Sequence, residues 1–422
     1  MAQKKTKATF RNIAMSDEVE RSLTISAGEL QPETSEHSST LPETTRGPVR
    51  HLYVHIPFCA RICPYCAFYK ELLDRSETPR FCEAILRELQ GHKGNRPASA
   101  GPTVSNRLKP VTIYFGGGTP TALTTAQLQF LLESFRSELD LTELVEWTTE
   151  ANPGSVSATK ASLLRRLGIN RVSLGVQSWD DDLLKLLGRE HNAKQARESF
   201  EIFRDAGFQN INVDLMFGLP GQTIDQWRDT LEQTIGLEPQ HISTYCLTYE
   251  EDTEFFVRHA RGEFRQDSDA DAEFFETTMS LLEAGGYEHY EISNYARPGF
   301  RSLHNQGYWS GADYLGIGPS AFSTIGLTRS QNVCDFRQYS DAFLSGRSAI
   351  GSAEQLSAEM KRAERIALSL RTDTGAAAEL FNSSPDKTRE FLSLGLLRQE
   401  NDRLVLTRAG KALADSIAAE FV

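Results

Sequence analysis

Between Leu52 and Leu247, short apolar runs alternate with stretches whose apolar residues recur at helical spacing. Leu52–Ile56, Val111–Phe115, Val145–Glu150, Arg171–Gly175, Ile211–Phe217 and His241–Leu247 read as strands. Between them Arg80–Leu89, Thr125–Leu139, Lys160–Leu167, Lys194–Ala206 and Ile224–Gly236 read as amphipathic helices. Strands that alternate with helices in this way predict an α/β fold, a parallel barrel or part of one. The pattern fades after residue 250, short of the two further units that a closed eight-stranded barrel needs. The segment 92–110, rich in Pro, Gly and Ser, reads as a loop.

The two ends of the chain have a different texture. Residues 1–46 are rich in Ser, Thr, Glu and Lys without a sustained apolar period, and read as a disordered tail. From about residue 350, Ala353–Leu370 and Gly375–Leu394 look helical, Gly395–Leu397 and Arg403–Leu406 form a hairpin, and Arg408–Glu420 is a closing helix. Helices around a short hairpin resemble a winged-helix unit. The expected division is a tail (1–46), a core domain (47–340) and a small C-terminal helical or winged domain (341–422).

Charge and composition narrow the function. The net charge of −12 gives no long-range attraction for nucleic acid, and no evident basic recognition helix is present, so the winged unit is expected to pack or to cover a substrate. No apolar run reaches 18 residues, so no integral membrane segment is expected. The first fifteen residues carry Lys4, Lys5, Lys7 and Arg11 without an acid, a faint likeness to an organelle transit peptide that Asp17 cuts short. A cytoplasmic location is the expectation.

There are six cysteines, and three cluster in CARICPYC as Cys59, Cys63 and Cys66. Three thiolates on one tight loop can hold three corners of a 4Fe–4S cubane and leave one iron open to an outside ligand. Zinc, with His55 as a fourth ligand, is the competing metal reading, whereas a disulfide is disfavoured in a reducing compartment. The glycine run of YFGGGTPT ends the second strand, where a backbone can approach a ligand. Glu150 ends the third strand, Gln177 follows the fourth and Asp214 lies in the fifth. The carboxyl ends of such strands are where barrel sites gather.

YVHIPFCARICPYCAF, GGGTPT, EANPG, SLGVQS, DLMFGLPGQT, YEISNYARPG and HNQGYW together resemble the radical S-adenosylmethionine superfamily. Within it they resemble the oxygen-independent coproporphyrinogen III oxidase group, and its HemW branch of heme chaperones. The match runs from about Tyr53 to the C-terminus. The resemblance implies a partial (β/α)6 TIM-like barrel and a 4Fe–4S cluster on Cys59, Cys63 and Cys66. It also implies a site for S-adenosylmethionine lined by Tyr53, Tyr65, Gly117, Gly118, Thr119, Glu150, Gln177, Arg189 and Asp214. Arg189 can pair with the methionine carboxylate, and the two acids can accept from its ammonium or from ribose hydroxyls.

Two details bear on the branch. Coproporphyrinogen dehydrogenases resemble Cys-x3-Cys-x2-Cys-x-Cys, and Phe68 stands here at the fourth cysteine position. HNQGYW (His304, Asn305, Tyr308 and Trp309) is similar to a motif that HemW proteins use in binding heme. From chemistry alone, a hydrogen-bonded histidine among packed aromatics fits the same letters equally well. Ala67 departs from the aspartate that many relatives carry. The resemblance therefore implies a chaperone that binds heme and passes it to acceptor hemoproteins, with a homodimer as the expected assembly. The alternative is a coproporphyrinogen III dehydrogenase that decarboxylates propionate side chains.

Overall fold

The computed structural model describes residues 49–92, 107–264 and 267–421. The expected tail, residues 1–46, and most of the 92–110 loop lie outside the described residues. The six expected strands form: β1 His51–Ile56, β2 Thr112–Gly117, β3 Glu146–Ala151, β4 Arg171–Gln177, β5 Ile211–Phe217 and β6 His241–Cys246. They lie side by side in chain order and pair in parallel. All but the first of the α-helices between them begin where side chains cap their free N–H groups. Thr124 with Gln127, Asn192 with Gln195 and Thr223 with Gln226 each close a capping box. The helices Thr125–Glu138, Ala193–Asp205 and Ile224–Gly236 follow.

Strand alternation sorts the side chains onto two faces. Leu52, Val54 and Ile56 of β1, Ile113 and Phe115 of β2, Val172, Leu174 and Val176 of β4, and Ile211, Val213 and Leu215 of β5 lie in the core, nearly all at 0–1% exposure. The opposite face is polar: His51, Tyr53 and His55; Thr112 and Tyr114; Glu146, Thr148 and Glu150; Arg171 and Ser173; Asn212 and Asp214; His241, Ser243 and Tyr245. Polar groups away from water must pair with one another or with a ligand. The inner face is therefore where chemistry is placed.

The sheet does not end with the six strands. Asn294–Ala296 and Glu288–Glu291 extend it antiparallel beyond β6. Tyr314–Ile317 joins β1 in parallel, followed by Phe322–Ile325, Thr328–Asn332 and Ile350–Gln355. The helix expected over Ala353–Leu370 thus begins only at Ala358, after the Ser357 cap, because Ala353–Gln355 pair with Thr328–Ser330. The helix expected over Gly375–Leu394 is broken. Ala376–Ala377 form a short strand, Ala378–Phe381 a 3₁₀ turn, and Pro385 opens the helix Pro385–Ser393.

The hairpin Leu397–Glu400 with Arg403–Leu406 is present, completed by Ala376–Ala377 as a third strand, so the C-terminal unit is winged-helix-like. The closing helix is split into Arg408–Lys411 and Ala414–Ala419. Arg408 bridges Glu276 and Glu283 of the helix Ser268–Ala284, and Arg301 holds Asp373 through two hydrogen bonds. These contacts seat the unit against the core. No helix among the described residues is long and apolar enough to cross a membrane.

Candidate cofactor-binding site

The cysteine loop leaves β1 and is tied at both ends. Phe58–Cys59 pairs with Glu71–Leu72, and Cys66 N–H closes a turn on the Cys63 carbonyl at 3.2 Å. The Pro64 carbonyl accepts from Phe255 N–H at 3.0 Å, which anchors the middle of the loop. Cys59, Cys63 and Cys66 line one cavity of about 300 Å³ at the carboxyl ends of the strands. Its wall also includes Tyr65, Gly117, Gly118, Thr119, Glu150, Gln177, Arg189 and Asp214. Eight of the nine residues expected around S-adenosylmethionine therefore share one wall with the three thiols. Tyr53 is not part of it. Its hydroxyl bonds His55 Nδ1 at 3.0 Å, and its ring stacks on Tyr114, its register partner on β2.

The glycines of GGGTPT are required by neighbouring backbone and side chains. Gly117 has φ +105°, and a Cβ there would lie 2.5 Å from the His55 ring; one on Gly118 would lie 2.5 Å from the Pro57 carbonyl. Close approach of β2 to the end of β1 thus exposes the Gly117 N–H, which donates to Glu150 Oε2 at 3.1 Å. Gln177 has φ +69° beside a break in register between β4 and β5. That conformation is costly for a residue with a side chain, and such strain gathers at ligand sites.

The charged groups are held from behind. Tyr114 Oη donates to Glu150 Oε1 at 2.9 Å. Asp214 accepts from Ser173 Oγ at 3.0 Å and from Asn212 Nδ2 at 2.7 Å. Burial pushes the Glu150 carboxyl up to about 7, with the nearby Asp214 adding to the rise against the hydrogen bonds from Tyr114 and Gly117. Burial likewise raises Asp214. Two crowded acids in one cavity favour a cationic ligand. Arg189 donates to Asn152 Oδ1 at 2.6 Å, to the Gly175 carbonyl at 2.9 Å and to Cys63 Sγ at 3.5 Å. Asn152 in turn donates to Thr119 Oγ1 at 2.8 Å, which sits 3.6 Å from Cys59 Sγ. A short polar chain therefore spans the space between two of the thiols.

The donor set fits a polynuclear cluster better than a zinc ion. Both ring nitrogens of His55 are engaged, by Tyr53 and by the Tyr69 carbonyl at 2.9 Å. Among the described residues no three His, Cys, Asp or Glu side chains converge on a single metal position. Cys82 is buried beneath the sheet and Cys334 is exposed elsewhere, while Cys246, at the end of β6, lines the same cavity. Phe68 stands exposed at the mouth.

HNQGYW lies at the other end of the strands. It forms the helix Leu303–Trp309, capped by Ser302. Leu303 and His304 N–H donate to the Glu146 carboxylate at 2.9 and 3.1 Å, at the start of β3. His304 is 1% exposed; its Nδ1 meets Thr112 Oγ1 at 2.8 Å and its Nε2 meets Tyr308 Oη at 3.1 Å. Its ring stacks on Tyr114 with centroids 5.1 Å apart. In this arrangement neither nitrogen is free to ligate iron. Trp309 is buried under the Arg371 guanidinium, and Asn305 is half-buried.

Sequence reasoning passed over Asn152, Tyr114, Ser173 and Tyr245 as cavity residues. Their signal was period-two polarity: Tyr114, Ser173 and Tyr245 lie on the polar inner faces of β2, β4 and β6, and Asn152 follows β3 two residues after Glu150.

The radical SAM superfamily signature matches residues 53–234. A Bacillus subtilis protein named heme chaperone HemW is 35% identical over 385 residues, which cover 89% of this chain and 99% of the relative. An Escherichia coli protein of the same name is 40% identical over 280 residues, 66% of this chain and 71% of the relative. Among solved structures, the Escherichia coli coproporphyrinogen III oxidase HemN superposes with a TM-score of 0.75 at 23% identity, covering 89% of this chain and 91% of that one, and so shares the fold. The chain belongs to the HemW family of the radical SAM superfamily.

Proposed function

We propose that this protein is a heme chaperone, binding heme and handing it to acceptor hemoproteins, and that it carries a 4Fe–4S cluster with S-adenosylmethionine in the cavity described above. The observation that carries the reading is the match to a heme chaperone across 99% of that relative's length. Phe68 beside the three-cysteine loop supports it, since that position offers no fourth thiol.

Cys59, Cys63 and Cys66 would hold the cluster. Glu150 and Asp214 suit the methionine ammonium or the ribose hydroxyls, and Arg189 suits the carboxylate. When bound, the cluster supplies a one-electron reductant beside a sulfonium. The protein's own part is to orient the ligand and to limit water in the cavity. His304 and Trp309, buried, and Asn305 and Tyr308, half-buried, enter this reading as a support, with His304 shaping the interior and not ligating iron.

The test is to incubate the anaerobically reconstituted protein with heme and, separately, with coproporphyrinogen III. A stable stoichiometric heme complex, and no decarboxylated product, is expected. Turnover of coproporphyrinogen III would instead make the protein a dehydrogenase and sink the chaperone reading.

A further inference from the structure

The cavity and the HNQGYW helix sit at opposite ends of one polar interior, and two unbroken paths join them. In the first, the His304 ring, pinned between Thr112 and Tyr308, stacks on Tyr114 with the planes 26° apart. Tyr114 donates to Glu150, and Glu150 accepts from Gly117 N–H. In the second, Asp214 accepts from Asn212, whose Oδ1 meets His241 Nδ1 at 2.6 Å. His241 Nε2 meets Tyr290 Oη at 2.7 Å, and Tyr290 accepts from Ser302 N–H at 3.3 Å, at the cap of the same helix. Each path starts at one cavity carboxylate and ends on the short helix. Arg171, 2% exposed, lies inside the strands between them.

Two features make the first path directive. The Tyr114 hydroxyl has a single useful direction toward Glu150, and its ring cannot swing away while Tyr53 and His304 both stack against it. Glu150 in turn fixes one of the glycine N–H groups that borders the cavity. Displacing His304 therefore moves the ring that aims the hydroxyl that sets the carboxylate.

We propose that His304 is a positioning residue for S-adenosylmethionine: acting through Tyr114, it holds the Glu150 carboxylate in the orientation that receives the ligand. This rests on the reading of the cavity as the S-adenosylmethionine site. It gives the HNQGYW segment a role that needs no contact with iron.

The experiment is calorimetry of S-adenosylmethionine on the cluster-loaded full chain, across pH, for wild type, Tyr114→Phe, His304→Phe and the double variant. Residues in contact that act as one unit show non-additive effects. Each single change should weaken binding by about three- to tenfold, and the double change should be no worse than the stronger single one. Both singles should also move the pH at which affinity levels off upward, because Glu150 loses a hydrogen bond that favours its ionised form. The other charged and titratable groups around that carboxylate, Asp214, Arg171, Tyr53 and Tyr245, are the same in every variant.

Cluster iron and melting temperature report folding. If His304→Phe does not fold, Thr112→Val frees the imidazole from the hydrogen bond that pins it in the stack, and should displace the pH profile in the same direction by a smaller amount. Wild-type affinity and pH profile in a folded His304 or Thr112 variant would overturn the proposal, as would additive losses in the double. A wild-type, cluster-loaded protein that does not bind S-adenosylmethionine would sink the underlying site reading itself, and is distinguishable at the first titration.

Discussion

The two ends of the strand interior are built from the same kinds of residue and put them to opposite use. At the carboxyl end, Glu150, Asp214, Arg189 and three thiols face a common cavity, held from behind by Tyr114, Asn212, Ser173 and Asn152. At the amino end, Glu146, Thr112, His51 and His304 satisfy one another, and the helix Leu303–Trp309 covers them. Helix N–H groups meet the Glu146 carboxylate there, so the charge is stabilised without a ligand. A motif rich in His, Asn and aromatics is thus not a ligand site by composition. What matters is whether its polar atoms find partners within the protein or face open space.

The largest effect should come from removing a thiol at the open end. Cys63→Ser should abolish cluster iron and its visible absorption after anaerobic reconstitution. Cys82→Ser and Cys334→Ser, which lie away from the loop, should retain both. Cys246→Ser is the sharper control, because this thiol shares the cavity wall but not the loop. Loss of the cluster in Cys246→Ser as complete as in Cys63→Ser would reveal a fourth protein ligand and end the open-iron assignment.

Next in size is the guanidinium. Arg189→Ala should weaken S-adenosylmethionine by about 1.5–3 kcal/mol, the scale of a charge-assisted hydrogen bond. Iron content should not change, although Arg189 reaches Cys63 Sγ. Unaltered affinity by calorimetry would remove Arg189 from the ligand's surroundings and leave it as a brace between Asn152 and Gly175.

Strands β1, β2, β4 and β5 were legible because their outward faces are almost wholly Val, Ile, Leu and Phe, packed on amphipathic helices. The flanking strands were not. Thr328–Asn332 and Ile350–Gln355 read TRSQN and IGSAEQ, too polar to show a period. Ala353, Glu354 and Gln355 favour helix, and only pairing with a strand more than twenty residues away overrides that preference. At the site, the cysteine spacing and the strand-end acids were readable locally. The surroundings of His304 were not, since its partner Thr112 lies 192 residues away. Sequence showed an imidazole among aromatics; which atoms its nitrogens meet is a property of the fold.

The acids sharpen the comparison by pH. Glu150 is pushed up to about 7, so below that pH it is largely protonated in the ligand-free protein. A cationic ligand selects the ionised form and expels the proton. Affinity for S-adenosylmethionine should therefore climb as pH rises toward 7, by up to about tenfold per unit, and level off above it. For stability the sign is reversed, because an acid whose pKa is raised on folding takes stability away as pH rises from about 4.5 to about 7. Glu150→Gln should flatten the binding curve. A steep rise that survives in Glu150→Gln would assign the titration to another group, with Asp214 the first to examine.

The smallest expected effect tests whether the open end carries strain that the closed end lacks. Gln177 holds φ +69° where β4 loses register with β5, and its side chain lines the cavity. Left-handed backbone costs a residue with a Cβ about 1–2 kcal/mol, and glycine adopts it freely. Glycine also gains freedom in the unfolded chain, which offsets part of the relief. Gln177→Gly should therefore leave the protein as stable as wild type or up to about 1 kcal/mol more stable, while S-adenosylmethionine binds a few-fold more weakly. A mutation that strengthens the fold and weakens the ligand is the mark of strain kept for binding. If Gln177→Gly instead lowers the melting temperature and leaves affinity intact, the side chain braces the strand end, and the backbone at Gln177 says nothing about the ligand.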